Sequence, residues 1–112
     1  MDQNTRPLAV LYSTTGVTAI AIERNEQIQK HGHDEAHDDQ FTAGELEDAA
    51  KALLNEDYEQ WPKGWPTHEF LRMSEKGTRE RLAVIGAFLA AEIDRIDRQL
   101  AAEQGSEKLA QA

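Results

Sequence analysis

Leu82, Ile85, Leu89, Ile93, Ile96 and Leu100 recur at steps of three and four residues. No other feature of the chain restricts its fold so strongly, because only a helix brings such positions onto one narrow stripe. The spacing predicts a helix from near Thr78 to about Glu103, with Phe88 and Ala91 widening its apolar face. Such a stripe calls for a partner helix, and the width of the face predicts a homodimer in which these helices pair.

Upstream, Val17, Ile20, Ala21 and Ile28 share one face of a predicted helix from Val17 to about Lys30, with Gly32 just past its end as a stop. Arg24 lies on that face and Gln27 at its edge. A cation there calls for a carboxylate, and Glu92, flanking Ile85, Phe88 and Leu89, is positioned to neutralise Arg24. A second helix is expected to open at Thr42-Ala43-Gly44-Glu45, which has the form of a capping box. It continues through Leu46, Ala49, Ala50 and Leu53 to near Asn55. Residues 56–76 hold both tryptophans, two of the three prolines and Gly64, and read as a shaped loop with one helical turn around Glu69 to Met73. The expected architecture is all-α: an N-terminal arm or short strand over residues 1–16, one domain of three main helices over 17–104, and a frayed tail over 105–112.

Charge and composition narrow the function classes. With 21 acidic against 12 basic residues the net charge is −9, which repels nucleic-acid backbones and anionic membranes. The chain has no cysteine, so disulfides and thiolate chemistry are excluded. No window reaches the roughly 18 apolar residues of a membrane span, and the N-terminus lacks a signal-peptide pattern, so a cytoplasmic protein is expected. Neither a Gly-rich phosphate loop nor a serine-hydrolase setting is present.

Three constellations carry candidate chemistry. His31, His33, His37, Asp34, Asp38 and Asp39 crowd the segment before the second helix. They offer imidazole and hard oxygen ligands for a metal, or else a solvated loop in which Asp38 or Asp39 helps order the helix that follows. Glu23 and Glu26 on the first helix, with Glu45 and Asp48 on the second, form an ExxE…ExxD pair of the kind that holds Mg²⁺ against phosphate oxygens. On the first helix, however, Glu26 points nearly opposite the apolar face. The segment WPKGWP offers Trp61 and Trp65, with Arg79 and Arg81 further on. Indoles can stack a base and guanidinium groups can hold phosphates, or the tryptophans close the end of a thin core.

Taken in order, GVTAIAIERNEQIQKHGHDEAHDDQFTAGELEDAA, WPKGWP and RERLAVIGAFLAAEIDRIDR resemble a family of small phage and prophage proteins, over about residues 16 to 98. The matching polar positions Arg24, Gln27, His37, Asp38, Glu45 and Glu92 imply a buried or cleft-lining polar network. More distantly, the ER-x-x-Q opening and helical layout are similar to MazG-like nucleoside triphosphate pyrophosphohydrolases, which implies a helical, often dimeric fold acting on nucleotides. The chain departs from that pattern at the start of its closing helix, where Arg81, Val84, Ile85 and Gly86 stand in place of further acids.

The leading expectation is therefore a phage-type protein of the host cytoplasm that binds a nucleotide or nucleotide-derived signal and sequesters it against a host defence. Arg24, Gln27, His37, Asp38, Trp61, Trp65, Arg79, Arg81 and Glu92 are its ligand contacts. The second is a Mg²⁺-dependent pyrophosphohydrolase using Glu23, Glu26, Glu45 and Asp48. The third is an acidic interaction module that inhibits a host protein.

Overall fold

The computed structural model describes residues 14–111, with side chains to residue 105; the expected arm or strand falls largely outside these residues. Among them the protein is all-helical: α1 (Thr15–Gln29), α2 (Glu35–Asp39), α3 (Glu45–Asn55), a 3₁₀ turn (Tyr58–Gln60), α4 (Thr67–Ser74) and α5 (Thr78–Gln111). None of the described helices is long and apolar enough to cross a membrane.

Local chemistry accounts for most of the boundaries. Thr14 caps α1, its hydroxyl accepting from Val17 N, and Asp34 caps α2 by accepting from His37 N at 2.9 Å. The start of α3 departs from the expected capping box. Gly44 sits at φ 82°, in the left-handed region, and is itself the N-cap, so the helix begins at Glu45. Thr42 therefore does not cap it. Glu45 still reaches back one residue further than its own cap, accepting from Ala43 N at 2.7 Å. The loop between α3 and α5 holds more helix than the sequence suggested, because Thr67–Ser74 forms two turns that bury Phe70 and Met73.

The long helix α5 is the spine, and α1 and α3 each pack along it while hardly touching one another. The core lies mainly between α3 and α5: Leu46, Ala49, Ala52 and Leu53 meet Val84, Phe88 and Ala91, with Trp61, Phe70 and Met73 closing one end. Alanines at three of the seven places on α3 and α5 draw the helix axes together but leave little large apolar side chain to bury. Trp61, 5% exposed, belongs to this core, while Trp65 only packs against it.

One expectation about a face is corrected. Helix α1 turns Gln27 and the half-buried Ile20 and Arg24 inward, and leaves Val17 and Ile28 substantially exposed. Its few apolar groups cannot outweigh the buried ion pair that Arg24 makes. On α5, Ile85 is buried but Leu82, Leu89, Ile93, Ile96 and Leu100 remain 40–59% exposed, so the stripe lies outside the core of the monomer.

Gly86 is where α1 meets α5. A Cβ there would lie 2.6 Å from Ile20 Cδ1 and 2.7 Å from Cγ1. Gly86→Val is therefore expected to force the helices apart and cost about 1–3 kcal/mol. Thermal melts check it, and Ile20→Ala in the same chain should recover much of the loss.

Candidate functional site: an aromatic and imidazole cleft

The site begins where α1 stops. Gly32, at φ 68°, turns the chain back so that His33 N donates to Gln27 O at 2.8 Å, tucking His33 beneath the end of the helix. Asp34 then starts α2, which brings His37 over His33: the two imidazoles stack with centroids 4.3 Å apart and planes 3° from parallel. The same four-residue step continues to Phe41, whose ring meets the edge of His37 at 5.1 Å.

The second wall is built by the proline-tryptophan segment. Trp65 N donates to Pro62 O at 3.2 Å, closing a four-residue turn in which Gly64 takes φ 86°, a conformation that disfavours any side chain. This turn folds Trp65 back at a right angle to Trp61, with centroids 5.4 Å apart, and sets it 4.8 Å from Phe41. The rings of His33, His37, Phe41, Trp65 and Trp61 thus form one continuous run. They border a cavity of about 420 Å³, whose lining also includes His31, Gln40, Glu69, Met73 and Phe88.

Behind the imidazole wall lies a buried ion pair. Arg24 Nη2 stands 3.1 Å from Asp38 Oδ2, Asp38 is 1% exposed, and Arg24 Nη1 reaches Gln27 Oε1 and the His33 carbonyl at 3.4 Å each. The other Asp38 oxygen lies 2.9 Å from His37 Nδ1. An ion-paired carboxylate only accepts, so Nδ1 carries the proton and, in the neutral ring, Nε2 is left as an acceptor. Sequence comparison within the chain pointed to Glu92 as the partner of Arg24. Glu92 instead accepts from Arg95 Nε at 2.6 Å, one turn along its own helix, and the turn at Gly32 brings Asp38 to Arg24.

The expected ligand contacts separate into three groups. His37, Trp61 and Trp65 line the cleft, and Arg24, Gln27 and Asp38 stand behind it as supports. Arg79, Arg81 and Glu92 do not line it: Arg79 borders a shallow groove beside Thr14, Thr18 and Glu23, and Arg81 is taken by Glu56 at 3.1 Å and the Leu53 carbonyl at 3.3 Å. Asp39 pairs with Arg98 at 2.7 Å and so has no part in starting α3.

Among the described residues, no three His, Asp or Glu side chains are grouped so as to hold a metal ion. Glu23, Glu26, Glu45 and Asp48 are not brought together, since α1 and α3 pack on α5 rather than on each other. His31, His33 and His37 share the cleft through ring contacts.

Phe41, Gln40, Glu69, Met73 and Phe88 were not among the ligand contacts expected from the sequence. The four-residue recurrence His33, His37, Phe41 was the available signal for the first of them. Among the described residues Glu69 is the one carboxylate on the cavity wall, and neither Lys nor Arg lines it. Its hydrogen bond from Arg72 Nη2, at 2.6 Å, holds the Glu69 carboxyl below the usual range and keeps it ionised.

Burial, reinforced by the neighbouring His37, pushes the His33 imidazole below its ordinary value of 6.5. The unfolded chain takes up this proton more readily than the folded one, so the contribution to stability is complete above pH 6.5 and falls as the pH drops toward the folded value. Tm should therefore fall between pH 7 and pH 5, and fall less in His33→Gln; melting curves across that range check it. The chain matches no family model, no curated protein and no solved structure.

Proposed function

We propose that the protein binds the flat heterocycle of a nucleotide or nucleotide-derived signal in the aromatic and imidazole cleft, and holds it without cleaving it. The observation that carries this reading is the continuous run of rings around a cavity of about 420 Å³, a size suited to a small ligand. Indole and phenyl faces stack on any base. His37 Nε2, left as an acceptor by the bond from Nδ1 to Asp38, suits an N–H on a base edge, and the Gln40 amide offers both a donor and an acceptor.

Among the described residues neither Lys nor Arg lines the cavity, which favours the base over phosphate groups as its occupant. Phosphates would lie at the mouth, toward solvent. The resemblance to phage proteins adds a role: a small protein that sequesters a nucleotide signal would blunt a defence that depends on it.

The test is to incubate the protein with a mixed pool of nucleosides and nucleotides, filter it, denature the retained protein and identify what is released. An intact base-bearing molecule retained by the wild-type chain and lost in Trp65→Ala supports the proposal. Retention of nothing above a protein-free control, or release of cleaved products only, overturns it.

A further inference from the structure

The apolar stripe of α5, exposed except at Ile85, is mirrored about its own middle. Leu82 pairs with Leu100, Ile85 with Ile96 and Leu89 with Ile93, each pair straddling Ala91 or the peptide bond just before it. At 100° per residue all six lie within a band of about 80° of the helix surface. A surface with this symmetry meets itself when a second copy is turned through a half-rotation, which is the requirement of a twofold interface.

Opposite helix directions align the macrodipoles favourably. The stripe residues Ile85, Leu89, Ile93 and Ile96 form one wall of a mostly apolar groove of about 460 Å³ between α3 and α5, whose lining also includes Ala50, Leu54 and the charged Glu47, Lys51 and Glu92. Leu54, 55% exposed, forms its outer edge.

We propose that the protein forms a symmetric dimer in which α5 packs antiparallel against α5 of a second copy, with the twofold axis at Ala91 and Leu89 facing the partner's Ile93. The groove then receives side chains from the partner. No residue of the stripe lines the aromatic cleft, so this pairing stands independently of the ligand reading.

The chain has no cysteine, which permits a direct test of register. Mass measurement by light scattering should show a dimer at micromolar concentration. Ile93→Asp, at a position 59% exposed, should keep its helical signal while weakening the dimer at least about thirtyfold. On mild oxidation, a mixture of Leu82→Cys and Leu100→Cys chains should form the mixed disulfide, and Leu82→Cys alone should form none. A wild-type monomer overturns the proposal, including one that instead forms a stable complex with a different protein. So does a dimer that survives Ile93→Asp, or one that joins Leu82→Cys to itself.

Discussion

Asp38→Ala is expected to remove about 3–5 kcal/mol of stability, the usual cost of leaving a buried charge without its counter-ion. Asp38 is 1% exposed and answers both Arg24 Nη2 at 3.1 Å and His37 Nδ1 at 2.9 Å. The cluster has no acceptors to spare, since Arg24 Nε and Gln27 Nε2 are already buried without a hydrogen-bond partner among the described residues. The half-exposed carboxylate of Asp94, 3.8 Å from Arg24, is too solvated to take over. Against a total of roughly 5–15 kcal/mol for a domain of this kind, the loss is a large share. Denaturant titration gives the number. The control is a double replacement, Arg24→Met with Asp38→Leu, which removes both charges and should recover most of the loss. If Asp38→Ala alone melts like the wild type, the ion pair does not hold α1 to α2.

Trp65→Ala is expected to weaken binding of a base-bearing ligand about tenfold to a hundredfold, the range that one base–aromatic stack contributes. Trp65 is chosen over Trp61 because it only packs against the core, so its removal empties a wall of the cleft with less damage to the fold. Trp61, at 5% exposure beside Phe70 and Phe88, would unsettle both. Trp65→Phe should restore much of the affinity, since a ring face is what the site requires. Calorimetry on the ligand recovered from the nucleotide pool separates the outcomes. Equal affinity in Trp65→Ala and the wild type would place the ligand elsewhere.

How far the site could be read from the sequence differs from residue to residue. Arg24 and Gln27 stood out because polar groups on or near an apolar face need partners, Asp38 stood out as an acid in the histidine-rich segment, and the three form one network. Which carboxylate would meet Arg24 was not legible. Glu92 and Asp38 are both acids near enough in principle, and the choice depends on the left-handed turn at Gly32 and on Glu92 having Arg95 one helical turn away. Trp61 and Trp65 were legible as a pair in a shaped loop. Their division into one core residue and one cleft wall was not, because it depends on the turn through Gly64 and on what α4 buries.

By itself the sequence determined that the protein is helical and where its long helix lies, since periodicity and the absence of helix breakers act over a few residues at a time. It also determined that an acidic, cysteine-free chain would have few large apolar groups for a core. Only the tertiary structure decided that the stripe on α5 faces outward and that His33, His37, Phe41 and the two tryptophans surround one cavity. It also decided that Arg79 and Arg81 lie away from that cavity. The physical reason is that a helix with two apolar faces satisfies local rules equally well whichever it buries. The choice is made by the packing of α3 with Trp61, Phe70 and Met73 against Val84 and Phe88, contacts between residues too far apart in sequence for any local pattern to record.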